Sequence, residues 1–554
     1  MSNAGPANAA IHFQPDGYHT DGPKLMGRQA AGSGFLHGLF RHAGVEAFYC
    51  HAPGPKDAQD FAALAAATGA RAPVRWIASS HPAALGAPGC LYLPGPGLGP
   101  YAFERLRVGE RAYSLCGVTH TTASHAAMDA ITDLLIAPLR AWDALVCTSR
   151  AVRDTVRHLL QAQAEYLRWR LGATRFEPPQ LPLIPLGVDC AGHGTDAAGR
   201  AEARGRLGIA ADDLVVLFVG RLSFHAKAHP LPMYLALERA AGGRRMHLLQ
   251  IGWFANNAIE AAFRDAGRLL APSVNLIFLD GRDTAQKATG WAAADVFCSL
   301  ADNMQETFGL TPIEAMAAGL PVVVSDWDGY RDSVRDGIDG FLIPTIMPPP
   351  PLGVDLAARY ERGTDSYDLY CGHASQLVAV DTAAAEAAFR RLFVDASLRQ
   401  QMGEAGRARA EALYDWRHVI AAYQALWTEL AERRRSDPDF ADRPAPAANP
   451  ARPDPLAAFI SYPTTLLGDR HMAQLAPGTD AAVLTARRTL AMVSYAQAIF
   501  PPEEDVQMVI DLLGERPWRV DALLARLPPD RQGAMARGLV WLHKLDVIRL
   551  SAST

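Results

Sequence analysis

The chain has 554 residues, too many for one hydrophobic core, so two large domains and an appendage are expected. Apolar residues make up 49% and charged ones 20%, and a formal charge of −5 over this length exerts no general pull toward nucleic acid or anionic membrane. The seven cysteines are odd in number, scattered and never in a C-x-x-C pair, which argues against a zinc ribbon or a disulfide framework and for reduced thiols in a cytoplasm.

Met1 to Ala10 is small and polar, without the basic start and apolar core of a signal peptide. No run approaches the roughly 18 apolar residues of a membrane-spanning helix. Gly27-Arg28-Gln29-Ala30-Ala31-Gly32-Ser33-Gly34-Phe35-Leu36 precedes a helix ending near His42, and Gly32 and Gly34 would let backbone approach a phosphate. The run lacks the dinucleotide-binding spacing. Short apolar strands are predicted at Ala47–Cys50, Val74–Ile77, Tyr113–Thr119 and Ala144–Cys147. Between them, Gly95-Pro96-Gly97-Leu98-Gly99-Pro100 reads as a decoy whose prolines remove donors and prevent a helix start.

His120 follows the strand Tyr113–Thr119 in a polar cluster that points from a strand's carboxyl end toward a cleft. With His125 it suggests a metal pair, but no carboxylate-rich shell accompanies them and no metal is expected. Arg150, Arg153, Arg157, Arg168 and Arg170 flank Leu159, Leu160, Tyr166 and Leu167 on a predicted helix. An ordinary solvated helix is the plain reading, with room for peripheral contact to the inner face of an anionic membrane.

Leu183 to Asp189 and the small-residue stretch Ala191–Arg200 read as a hinge, followed by strands at Leu214–Val219, His247–Ile251, Leu276–Leu279, Val296–Ser299 and Pro321–Ser325. Continuous apolar strands alternating with helices argue a parallel sheet covered on both faces, and two such series argue two doubly wound domains. From Pro344 to Gly372 the rhythm stops, around a tetraproline and Tyr360, Tyr367 and Tyr370, as in a long functional loop or an insertion. Helical patterning resumes at Thr382 and runs to about Arg435, and a Pro/Ala/Asp-rich stretch from Ser436 to Pro455 reads as a linker. Helices at Val506–Leu513, Val520–Leu527 and Gln532–Leu545 and a strand Val547–Leu550 suggest a winged-helix-like module. Its acids and bases nearly cancel, so a protein-contact or structural role is expected and nucleic acid is not.

The strongest chemical signal is the loop and helix from Asp302 to Gly319, which follows the strand Val296–Ser299 at the carboxyl edge of a sheet, where open α/β folds bind ligands. Thr311 is the expected N-cap and Pro312 the first helical residue. A loop containing Gly309 would then present free N–H groups and a positive helix end as a seat for a diphosphate. Glu306 and Glu314 can face one cleft, and carboxylates suit sugar and ribose hydroxyls because each accepts several hydrogen bonds. Thr311-x-x-Glu314 also reads as a capping box, which would occupy Glu314 with backbone. Arg221 follows the strand Leu214–Val219 and Gly220, with Lys227 six residues later, and two such cations can neutralise a diphosphate leaving group without a metal ion.

With these residues in view, the chain resembles glycosyltransferase family 4, retaining enzymes of the GT-B fold, from about residue 10 to 432. The likeness is most specific at Glu306 and Glu314 with seven residues between them, at Phe308-Gly309-Leu310, and at Gly220-Arg221-Leu222-Ser223 with Lys227. Cys147-Thr148-Ser149 and Pro185-Leu186-Gly187-Val188-Asp189 also look like that family. The resemblance implies that Arg221 and Lys227 bind the donor diphosphate, Glu306 the transferred sugar's hydroxyls and Glu314 the ribose. It implies that His120 contacts the sugar from the opposite domain. It further implies no protein nucleophile, no cofactor beyond the nucleotide-diphosphate-sugar donor, and a final helix, about Trp416–Leu430, returning to the first domain.

The expected architecture is therefore α/β, of GT-B type: a Rossmann-like domain over 1–190, a second over 191–415 with an insertion at about 344–372, and the returning helix at 416–435. A linker at 436–455 and a mainly helical, winged-helix-like module at 456–554 complete it. The expected activity is retaining, metal-independent sugar transfer onto a glycan, lipid or small molecule. The rivals are a sugar-nucleotide epimerase or phosphorylase of the same fold, and a non-catalytic scaffold presenting its C-terminal module.

Overall fold

A computed structural model describes residues 6–19, 27–194, 196–437 and 449–552; the first five residues of the chain's start and most of the linker stretch lie outside them. Residues 1–451 form one compact unit and 452–554 another.

The first unit contains two six-stranded parallel sheets. One is built from β1 (Ala10–His12), β2 (Phe48–Ala52), β3 (Val74–Ala78), β4 (Cys90–Leu93), β5 (Ser114–Val118) and β6 (Ala144–Val146), in the order β3-β2-β1-β4-β5-β6. The other holds β7 (Leu214–Val219), β8 (Met246–Gly252), β9 (Val274–Asp280), β10 (Val296–Ser299), β11 (Val322–Ser325) and β12 (Gly340–Ile343), in the order β12-β11-β10-β7-β8-β9. Both are doubly wound, and each reverses direction once: between β1 and β4, and between β7 and β10. These are the switch points at which such sheets open a crevice. Alternation explains the double cover: Leu214, Val216 and Phe218 enter one apolar core, while Val215, Leu217 and Val219 enter the core on the opposite face.

Predicted strands fall within a few residues of observed ones, but β1, β4 and β12 were not foreseen; each is three or four residues long, too short for periodicity to reveal. The glycine–proline run is no bar to a helix: Gly99–Arg105 is helical with Pro100 in the first turn, where the missing N–H has no partner to lose.

The carboxyl edges of the two sheets face each other. Thr148 and Ser149, just past β6, reach loops of the second sheet: Thr148 Oγ1 donates to Thr307 O at 3.5 Å and Ser149 Oγ to Asp328 Oδ1 at 2.9 Å. Arg150 adds an ion pair to Asp332 at 2.6 Å. Two doubly wound domains facing one cleft are the GT-B arrangement. The chain crosses between them at Val188, whose N–H donates to Tyr414 O at 2.8 Å, and at Trp416, whose N–H donates back to Val188 O at 3.3 Å.

The helix Trp416–Ser436 lies on the first domain, with Trp416, Tyr423 and Leu430 in the same core as Phe35, Leu36 and Tyr92. Trp416 sits in a socket of glycines: a Cβ on Gly34, Gly38 or Gly187 would come within 2.9, 2.8 and 2.4 Å of its side chain.

Residues 345–380 form an inserted lobe, not a loop. β13 (Thr345–Ile346) pairs antiparallel with β14 (Ala379–Val380), and the helices Val354–Glu361 and Tyr367–Ser375 lie between them. In the second unit, β15 (Met472–Leu475) lies between β16 (Trp518–Arg519) and β17 (Ile548–Ser551) in an antiparallel sheet. The helices Glu503–Glu515, Val520–Leu524 and Pro529–Lys544 pack on one core through Val509, Leu523 and Leu539. The winged-helix-like reading holds for the order of these helices; β15 and β16 were not anticipated. All seven cysteines are buried and free. Among the described residues no helix is long and apolar enough to cross a membrane.

Candidate functional site

The residues singled out in the second domain converge where its sheet reverses. β7 delivers Gly220 and Arg221, and β10 delivers the loop from Leu300 to Gly309. Lys227 Nζ donates to Glu306 Oε2, and Arg221 donates to Gln305 Oε1 at 3.1 Å and to Ala226 O at 2.9 Å. Burial lowers the Arg221 pKa from its ordinary value. Tyr330, just past β11, donates to Glu306 Oε2 at 3.4 Å and shares a 2.9 Å hydrogen bond with Ser299.

The capping box does not form. The helix is Leu310–Ala317, its N-cap is Gly309, and no side chain caps it. Thr311 is thus inside the first turn, not at the cap, because Gly309 takes a φ of +86° and starts the helix earlier than the Thr-Pro pair suggests. Glu314 is released from capping: Oε2 is buried with no hydrogen-bond partner among the described residues, and Oε1 lies 3.8 Å from Lys287 Nζ. The Nε2 of Gln305 is buried beside the Cys371 thiol. An orphaned buried carboxylate oxygen is costly, and the one on Glu314, a residue close to Lys287, marks a place shaped for a polar ligand. Phe308 is buried in the core and Leu310 opens the helix, so both contribute backbone and packing rather than side-chain polarity.

Gly32 and Gly34 are a correction. They lie inside the helix Gly27–His42, not in a loop before one. A Cβ on Gly32 would come 2.4 Å from Gly17 O, and Gly34 faces Trp416, so their missing side chains serve close packing.

His120 follows β5 and is half-buried. Burial, with the charge of Arg28 adding to it, lowers its pKa to about 4, so it is neutral at physiological pH. His125 begins the next helix, its ring 3.6 Å from that of Tyr360. The helix Arg150–Leu171 buries Val152, Val156, Leu160, Ala164 and Leu167, leaving Tyr166 and Trp169 exposed.

Tyr330, Gln305 and Asp328 were not foreseen as site residues, and Ser149 only as part of the family-like segment Cys147-Thr148-Ser149. Tyr330 and Asp328 come from the loop after β11, which only the strand order brings beside β10. Burial raises the Asp328 pKa to about 8, against the bond from Ser149.

Asp302, at the start of the loop after β10, accepts from the His229 N–H at 3.2 Å, and burial raises its pKa to about 7. The folded state therefore holds this proton more tightly than the unfolded chain. The resulting stabilisation is complete below about pH 4 and is lost as pH rises through the folded-state value. Between about pH 6 and about pH 8.5, wild type is expected to lose about 1.4 kcal/mol more stability than Asp302→Asn. Urea denaturation at both pH values checks this, and parallel losses would refute it.

Residues 199–346 match the family model of the glycosyl transferases, group 1. The phosphatidyl-myo-inositol mannosyltransferase of Mycobacterium tuberculosis is 32% identical over 181 residues, 33% of this chain and 43% of that protein. The D-inositol 3-phosphate glycosyltransferase of Actinosynnema mirum is 34% identical over 173 residues, 30% of this chain and 40% of that protein. The chain thus spans less than half the length of these curated relatives. Among solved structures, Anabaena Alr3699/HepE in complex with UDP aligns with a TM-score of 0.47 at 16% identity, covering 74% of this chain and 98% of that one. Arg221, Lys227, Glu306 and Glu314 all fall inside the matched segment, residues 199–346, which is similar to the group 1 glycosyl transferases.

Proposed function

We propose that the protein transfers a glycosyl group from a nucleotide-diphosphate-sugar to an acceptor hydroxyl, with retention and without a metal ion. The observation that carries this reading is the convergence of Arg221, Lys227 and Glu306 at the β7/β10 switch point, with an unpartnered Glu314 oxygen on the helix that follows the same loop.

In this reading Arg221 and Lys227 bind the diphosphate and stabilise the charge that builds on it as the bond to the sugar breaks. Their two positive charges do what a divalent ion would otherwise do. Glu306 exchanges its bond to Lys227 for bonds to the sugar's hydroxyls, and Glu314 accepts from the ribose. Neutral His120 donates to the sugar from the first domain. The acceptor oxygen bonds to the anomeric carbon on the face the diphosphate leaves, and the acceptor's proton passes to the departing phosphate oxygen. No side chain becomes covalently attached. The protein's contribution is positioning, electrostatics and exclusion of water.

The relatives' names carry two inositol acceptors, but the matched family segment is the donor-side domain, and the first domain, where the acceptor would bind, lies outside it. The acceptor is therefore left as a hydroxyl compound.

Calorimetry and sugar-release assays across UDP-, GDP-, ADP- and TDP-sugars test the proposal. One donor is expected to bind wild type, with Arg221→Ala and Lys227→Ala each weakening it about tenfold or more. Absence of binding by every donor, with and without divalent metal, would overturn the transferase reading and favour a scaffold that presents the C-terminal module.

A further inference from the structure

The family match ends at Ile346, in the strand with which the inserted lobe begins. The lobe is built into the cleft from both sides.

On the first-domain side, Tyr367 Oη lies 2.9 Å from Thr121 Oγ1, one residue past His120. Tyr360 Oη accepts from the His125 N–H at 3.1 Å, and its ring stacks on the His125 imidazole. Tyr370 backs Tyr360 in a second stack at 4.4 Å. On the donor side, the same helix Tyr367–Ser375 presents Gly372 to His225, where a Cβ would approach to 3.0 Å. Cys371 is fully buried beside Gln305, and the charge of Asp368 is felt at Arg221. The lobe is stiff where it must be: buried Asp365 holds Arg359 at 2.7 Å and His373 at 3.1 Å.

Other bridges between the domains, at Thr148, Ser149 and Arg150, come from the segment after β6 and reach the segment carrying His120 only through the bond from Thr148 N–H to Thr119 Oγ1 at 3.4 Å. Only the lobe touches that segment among the described contacts to the second domain. Its single helix spans from Thr121 to the Arg221–Gln305 pair. A rigid element in that position fixes the separation of the two sides.

We propose that the inserted lobe sets the register of the cleft: Tyr367 and Tyr360 are positioning residues that hold the segment carrying His120 at a fixed distance from Arg221 and Gln305, so that a donor sugar is gripped from both domains at once. This rests on the transferase reading above. The lobe would then govern turnover more than donor affinity, because the Tyr367 hydroxyl bonds to Thr121 and not to the diphosphate-binding cations.

The test uses the full chain and the nucleotide-sugar that wild type binds, with donor affinity read by calorimetry and turnover by release of free sugar. Tyr367→Phe and Thr121→Val remove one hydroxyl each from opposite domains. Each is expected to lower turnover about tenfold with donor affinity within about twofold, since one hydrogen bond in a preorganised site is at stake. The double variant is expected to be no slower than either single, as for two halves of one contact. Leu369→Ala, half-exposed on the same helix, is the control and leaves both quantities unchanged. Turnover near wild type in both single variants overturns the proposal, as does a parallel loss of affinity and turnover, which would make the lobe part of the donor seat. Failure of wild type to bind any donor overturns the transferase reading itself, a result distinct from either.

Discussion

Gly309→Ala is expected to destabilise the second domain by about 3 kcal/mol or more and to abolish donor binding with it. Two independent costs meet at this position. The backbone holds a φ of +86° and a ψ of +84°, which a residue with a Cβ adopts only under strain. A Cβ would also lie 2.0 Å from Cε1 of Tyr330, a ring that is fully buried and tied to Ser299 and Glu306. The ring cannot withdraw without breaking both bonds, so the helix start must shift instead. Glu306 and Glu314 lie on either side of that start and would move with it. Guanidinium denaturation measures the stability loss, and retention of wild-type stability would show that the loop after β10 is far softer than its packing implies.

Glu306→Gln is expected to lower turnover of the donor by about a hundred- to a thousandfold, with affinity for the nucleoside diphosphate changed much less. The carboxylate accepts from Lys227 and Tyr330, and its side chain is only 8% exposed. An amide of the same shape keeps the packing but loses the charge that orients Lys227 and that favours positive character on the sugar as its bond breaks. Lys227 is partly exposed and can stay hydrated without its partner, so the fold should survive. Equal losses in diphosphate affinity and turnover would assign Glu306 to binding alone.

The second domain was largely readable because most of its strands are either long or followed by a ligand-type loop. Leu214–Val219 and Val296–Ser299 have the bounds predicted for them, since six apolar residues end at Gly220 in the first and three apolar residues end at Ser299 in the second. What failed did so for local reasons. Gly32 and Gly34 looked like loop glycines, because nothing in their neighbourhood shows that Trp416, far along the chain, needs their space. Thr311-Pro312 looked like a helix start, because a left-handed glycine ahead of it is invisible to propensity. The stretch after Pro344 looked structureless because each of its two helices is short and owes its stability to tertiary contacts such as Asp365 with Arg359 and His373. Tyr330 carries no spacing signal at all; only the strand order makes it a neighbour of the cleft.

The return of the helix Trp416–Ser436 to the first domain has a consequence for synthesis. On the ribosome, the first sheet can form once residue 146 has emerged, yet the socket between Gly34, Gly38 and Gly187 stays empty until Trp416 arrives. The apolar face that later receives Val419, Ile420, Tyr423 and Leu430 is open to water for that whole interval. The second domain, in contrast, has its sheet complete at Ile343 and can fold before the first is sealed. The domain made first is thus the one finished last, and a nascent chain stalled short of Trp416 would expose a sticky surface to chaperones or to other nascent chains.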